Sequence, residues 1–155
     1  MDIYEILDTL NINYKEEKHV KVYTVEEAVN ADISLDGIGC KNLFLKDKHN
    51  YYLVLMLDSK KCDLKQLSND LNVKKLSFAS VEELDSILKL EKGSVTPLGI
   101  INDTLCLVKI VIDRSLVGND LLVHPNRNDR TISINYNDLI KIIEYTKHEY
   151  VLLDI

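Results

Sequence analysis

KNLFLKDKHNYYLVLMLD, residues Lys41 to Asp58, holds two strand-like runs on either side of the polar break KHN. Apolar runs flanking a short polar break read as a β-hairpin. The second run, YYLVLMLD, is apolar nearly throughout. Such a strand needs cover on both faces, which places it in the middle of a sheet.

Working outward from the hairpin, helices and strands interleave irregularly. Upstream, residues 2–10 set Ile3, Ile6, Leu7 and Leu10 at helical spacing. HVKVY (19–23) alternates like a strand, and TVEEAVNA follows with Thr24 and Glu27 at capping-box spacing. DISLDGIGC reads as a loop. Downstream, DLKQLSNDL carries Leu64, Leu67 and Leu71 on one helical face, and KLSFA is a short strand. SVEELDSILKL repeats the capping box with Ser80 and Glu83, and its apolar face is Val81, Leu84, Ile87 and Leu88. TLCLVKIVID (104–113) reads as one long strand, which makes Cys106 a small core residue. DLLVHP and RTISIN are strands around a polar turn. NDLIKIIEYTK is a helix with Leu139, Ile142 and Ile143 inward, and YVLLDI is a closing strand. The pattern predicts an α/β (α+β) fold in one domain, residues 1–155, around one mixed sheet.

The totals narrow the function classes. The chain has 155 residues, 46% of them apolar, enough for a core without disulfides or metal. No apolar run is long enough to span a membrane. The start, MDIYEILDTL, lacks the basic and apolar blocks of a secretory signal. Three cysteines, Cys40, Cys62 and Cys106, show no CxxC spacing and read as reduced thiols of a cytoplasmic protein, with no metal expected. The net charge of −6 argues against a broad basic face for nucleic acid, DNA included. Lys41, Lys46, Lys48 and His49, then Lys60 and Lys61, then Arg127 and Arg130 read as solvated surface charge.

No dinucleotide, phosphate-loop, zinc-helix or serine-elbow motif is present. Three segments hold candidate chemistry. Lys41 and Asn42 stand where a glycine-bearing loop enters a strand; on pattern alone Lys41 is an edge lysine in solvent. EKGSVTPLGIINDT gathers Gly93, Gly99 and Pro97, residues that shape a backbone able to grip a small ligand or simply cap a helix and turn. HPNRNDRT ends a strand at His124 and turns through Asn126, Asn128 and Asp129. It reads equally as a polar turn and as a pocket edge.

In this order, KNLFLKD, KLSFAS, GSVTPLGIIND and HPNRNDRT, with HVKVYTVEEA upstream, resemble the freestanding prolyl-tRNA editing domains of the YbaK family. Among these the chain is most similar to the alanyl-tRNA(Pro) deacylases, over nearly its whole length from His19. The resemblance implies a mixed, partly closed sheet flanked by helices. It implies hydrolysis of the ester joining a wrong amino acid to the terminal adenosine of tRNA(Pro), without cofactor or metal. The partners implied are the acceptor end of that tRNA and prolyl-tRNA synthetase.

By that resemblance Lys41 is the pocket lysine, Asn42 its neighbour, and His124 the histidine of the His-Pro pair. Gly93, Ser94, Val95, Thr96 and Pro97 match the family's G-x-x-x-P loop, which presents backbone groups to the aminoacyl moiety. Asn128, Asp129 and Thr131 match the rest of the turn. The segment from Val22 through Tyr23 to Ala28 lines the side-chain pocket. An activated ester needs a positioned water and a stabilised oxyanion rather than a strong nucleophile. In such families a ribose hydroxyl of the tRNA is held to assist, and Lys41 then acts by position and charge. Selecting alanine against proline needs a rigid wall, since one methylene discriminates by only about 1–3 kcal/mol.

Three positions depart from the family pattern. Val20 and Lys21 follow His19 where two prolines are common, Cys40 stands where threonine is frequent, and Arg130 where a small residue is usual. Cysteine is the rival substrate, and a non-catalytic aminoacyl-tRNA-binding module is the rival class.

Overall fold

The computed structural model describes residues 1–21 and 34–155. The hairpin forms as its sequence predicts: β1 (Lys15–Lys18) precedes it, and β2 (Ile38–Lys46) pairs antiparallel with β3 (Tyr51–Leu57), Leu43 opposite Val54. Asp47 closes the turn, its carboxylate accepting the His49 and Asn50 N–H groups at 2.8 and 2.6 Å. Helix α1 (Ile3–Thr9) starts on a capping box between Asp2 and Glu5. Then come α2 (Leu64–Asp70), β4 (Ser77–Phe78), α3 (Val81–Leu88), a 3-10 turn (Pro97–Asn102), β5 (Val108–Asp113), β6 (Asp120–Val123), β7 (Arg130–Asn135), α4 (Tyr136–Tyr145) and β8 (Tyr150–Leu153).

Among the described residues the strands make one eight-stranded mixed sheet in the order β1-β7-β6-β2-β3-β5-β8, with β4 paired to β2 beside this path. β3 lies between antiparallel β2 and parallel β5, and its Leu53, Val54, Leu55 and Met56 are fully buried. Alternation splits them between the faces. Leu53 and Leu55 join the larger core with Leu7 of α1, Leu88 of α3 and Ile142 of α4. Val54 and Met56 join a smaller core under Leu67 of α2. Helices cover both faces, as a strand apolar throughout requires.

Five local expectations are corrected. The first paired segment among the described residues is Lys15–Lys18: residues 19–21 of the expected 19–23 strand are outside any strand, and 22–33, with the rest of it and the expected helix start, lie outside the described residues. β1 is a charged edge strand, KEEK, and such edges carry no apolar alternation. β2 starts at Ile38, earlier than the loop reading allowed. The 104–113 run is a strand only from Val108. Buried Asp103 accepts the Leu107 and Val108 N–H groups at 3.1 and 2.9 Å, so 104–107 form a turn. Cys106 sits in that turn with φ of 53° and is exposed, not a core residue. Val81, at the first position of α3, is likewise exposed while Leu84 and Leu88 face the core.

Candidate active site

The site grows from an irregularity in the sheet. β6 runs parallel to β2 only at Ile38–Leu121 and Gly39–Leu122, and β4 meets β2 only at Leu45–Phe78 and Lys46–Ser77. Between these pairings, from Cys40 to Phe44, β2 has no strand on that side among the described residues. The sheet has a gap in its pairing there, the slot. Continuing the parallel register by two residues sets Lys41 level with His124, just past the end of β6.

The pleat of β2 sends Lys41 and Asn42 to opposite faces. Lys41 shares the face of Leu43 and Leu45, that of the smaller core. Its ammonium donates to the Lys60 carbonyl. Asn42 shares the face of Cys40 and Phe44, toward the larger core. The two residues therefore flank the slot rather than converging on one point.

The G-x-x-x-P loop and the His-Pro turn do come together. Thr96, fully buried, donates its hydroxyl to the His124 carbonyl at 2.6 Å. The same hydroxyl oxygen caps the 3-10 turn by accepting the Leu98 N–H at 3.3 Å. Asn126 donates its side-chain amide to the Leu98 carbonyl at 3.2 Å, a second tie between the segments. Gly93 takes φ of 85°, the left-handed region glycine favours, and Ser94 folds back on the Glu91 carbonyl at 2.9 Å. Gly99 packs closely, since a Cβ there would lie 2.6 Å from Leu90 Cδ1 and the leucine would have to shift. Val95 packs against the larger core and Pro97 is buried at the start of the 3-10 turn. The N–H groups of Val95 and Thr96 make no hydrogen bond among the described residues.

His124 is held by one edge. Its Nδ1 lies 2.8 Å from the Arg130 carbonyl, which can only accept, so Nδ1 carries the proton. Burial lowers its pKa below the ordinary 6.5, and neighbouring His19 pushes the same way. The imidazole is thus neutral at pH 7 with its lone pair on Nε2. His19 lies beside it, ring centroids 5.9 Å apart, with Nε2 2.9 Å from the buried Thr131 hydroxyl. Asn128 is buried.

Unpartnered polar atoms mark the same neighbourhood. The buried side-chain atoms without a hydrogen bond among the described residues are Asn42 Oδ1, Asn126 Oδ1, Asn128 Nδ2 and Arg130 Nε. They belong to β2 beside the slot, to the turn past β6 and to the first residue of β7. Buried polar atoms are normally satisfied, so a group of orphans points to a ligand or water.

Two readings of surface charge change. Arg127 is held bidentate by Asp129 at 2.8 and 2.9 Å, and Arg130 by Glu16 at 3.3 Å. Neither is a free cation. Cys40, in the family's threonine position, is no nucleophile: burial pushes its thiol up to about 12, and Asp58 adds to that. No group of three or more metal-ligating side chains is found among the described residues. None of the described helices is long and apolar enough to cross a membrane. Val22, Tyr23 and Ala28 lie outside the described residues.

Asn126, His19 and Arg130 join the neighbourhood without having stood among the expected site residues. Their signal was faint: a turn former, and two polar residues bordering charged strand ends.

The fold and slot define a class. Residues 19–142 match the model of the aminoacyl-tRNA editing domain. The chain belongs to that family. Prolyl-tRNA editing protein ProX of Acetoanaerobium sticklandii is 41% identical over 152 residues, 96% of this chain and 93% of that protein. Prolyl-tRNA synthetase associated domain-containing protein 1 of Danio rerio is 35% identical over 156 residues, 98% of this chain and 85% of that one. A solved structure described as a candidate trans-editing enzyme for prolyl tRNA synthetase superposes with a TM-score of 0.71 at 19% identity, over 97% of this chain and 93% of that one. At that identity the likeness is one of fold.

Proposed function

We propose that this chain is a trans-editing deacylase that hydrolyses the ester joining alanine to the 3′-terminal adenosine of mischarged tRNA(Pro). The observation that carries the reading is the Thr96–His124 bond, which fixes the glycine-proline loop against a neutral histidine. The names of the two relatives above supply the tRNA.

The chemistry needs little more. The ester carbonyl sits in the slot, its oxygen toward the Val95 and Thr96 N–H groups, which stabilise the negative charge of the tetrahedral intermediate. Water attacks the carbonyl carbon and passes a proton to His124 Nε2. Collapse breaks the bond to the ribose oxygen, which takes that proton back. The products are free alanine and the tRNA 3′-hydroxyl. Lys41 leaves the Lys60 carbonyl to hold a substrate oxygen or the terminal phosphate. Asn42 and Asn128 offer their unpartnered atoms to the aminoacyl group, and Gly93 lets the loop approach it. Ser94 and Pro97 hold the loop's shape. Val22, Tyr23 and Ala28 wall the side-chain pocket, and prolyl-tRNA synthetase, the source of the mischarged tRNA, is the partner in the cytoplasm.

The test is hydrolysis of purified Ala-tRNA(Pro), Cys-tRNA(Pro) and Pro-tRNA(Pro) by wild type and Lys41→Ala. Loss of alanine alone, slowed about 10²-fold or more by the substitution, is expected. Faster loss of cysteine would change the substrate, and survival of all three esters would overturn the enzyme.

A further inference from the structure

The chain has two phenylalanines, used in opposite ways. Phe44 is buried and stacks on Tyr51 at 5.5 Å. Phe78, in the KLSFAS segment, is 60% exposed and has no part in the chemistry above. Its backbone is nevertheless clamped. It pairs with Leu45 of β2, and the next residue, Ala79, donates its N–H to the Phe44 carbonyl at 2.9 Å. A fixed backbone presents the ring to solvent at a defined place.

That place borders the slot. Paired strand residues face the same way, so Phe78 stands on the face of Leu45, Leu43 and Lys41. Four strand residues separate the level of Lys41 from that of Leu45, about 13 Å. The slot thus has Lys41 and His124 at one end of this face and an exposed aromatic ring at the other.

Charge adds a second observation. Lys46, Lys60, Arg114, Arg127, Arg130 and Lys141 each hold a carboxylate. Lys74 and Lys75, just before β4, are exposed and form no ion pair among the described residues. The two lysines are adjacent in sequence, four and three residues before the exposed ring of Phe78. An aromatic face next to free cations is the chemistry that binds single-stranded nucleic acid: bases stack and phosphates pair.

We propose that Phe78, Lys74 and Lys75 form the platform on which the single-stranded 3′ end of the tRNA lies as its terminal ester enters the slot. One base stacks on Phe78 and the neighbouring phosphates lie against the lysines. The assignment rests on the deacylase reading for the direction of the strand, and its binding test does not need that reading.

The experiment is fluorescence anisotropy of a labelled single-stranded RNA ending in CCA, run beside Ala-tRNA(Pro) hydrolysis. Wild type binds, Phe78→Ala weakens binding about tenfold, and Phe78→Trp restores it. Phe78→Leu behaves like alanine, because stacking rather than apolar area is what the site uses. The double variant Lys74→Gln, Lys75→Gln flattens the log–log salt dependence, by about 0.7 for each phosphate no longer neutralised. In hydrolysis the Phe78→Ala loss falls mainly on KM. No binding by wild type, or equal binding by Phe78→Ala or Phe78→Leu, overturns the platform. RNA binding that depends on Phe78 without any ester hydrolysis keeps the platform and removes the deacylase. Hydrolysis with Phe78→Ala unchanged in binding and KM removes the platform alone.

Discussion

The middle of the sheet and the slot beside it follow opposite rules. At β3 and β5 every step is paired from Tyr51–Val108 to Leu55–Ile112, and Leu53, Leu55, Ile110 and Ile112 are fully buried. Between β2 and β6 pairing stops after two residues, and polar atoms without a partner among the described residues lie on β2, the turn past β6 and Arg130 at the start of β7. The first region is built to be stable and makes no contact that a ligand could use. The second gives up ladder hydrogen bonds and leaves polar groups unmet, which is tolerable because the first supplies the stability.

The sharpest break of this contrast is in stability. Leu55→Ala empties a site with no exposure and lowers the unfolding free energy by about 2–5 kcal/mol, read as a lower denaturant midpoint with unchanged slope. Thr96→Val comes next. It removes the hydroxyl between loop and turn, leaves the His124 carbonyl short of its donor, and costs about 1–3 kcal/mol. Its effect on deacylation should exceed its effect on stability, because it frees the loop that faces the ester. Asn42→Leu sits at the other extreme. It removes a buried oxygen that has no partner among the described residues, so the melting temperature stays level or rises while deacylation falls. A clear drop in melting temperature would mean that Asn42 serves the fold.

The two regions were also unequally legible in the sequence. YYLVLMLD reads as a central strand because apolar run length and position are local signals, and Leu139, Ile142 and Ile143 read as a helix face for the same reason. KEEK did not read as a strand, since an edge strand in solvent has no apolar pattern to show. The turn around Cys106 was hidden because Asp103 is fixed by His148, 2.9 Å away in space and far along the chain. The loop and the His-Pro turn were visible as separate segments. The Thr96–His124 bond that joins them spans 28 residues and has no local mark. The opposite facing of Lys41 and Asn42 follows from strand alternation once β2 is placed, whereas the slot itself depends on where β6 ends.

pH tests the central claim, that a neutral His124 at the slot takes the proton from water. Burial lowers the His124 pKa below 6.5, so the neutral form persists at and above that value and is lost as pH falls through the lowered pKa. The measurement is single-turnover hydrolysis of Ala-tRNA(Pro) as a function of pH, for wild type and His124→Gln. The wild-type rate should be level above pH 6.5 and fall below it, with His124→Gln slower by about 10²-fold and without that fall. A His124→Gln variant that keeps the wild-type rate and the same pH profile would contradict the account.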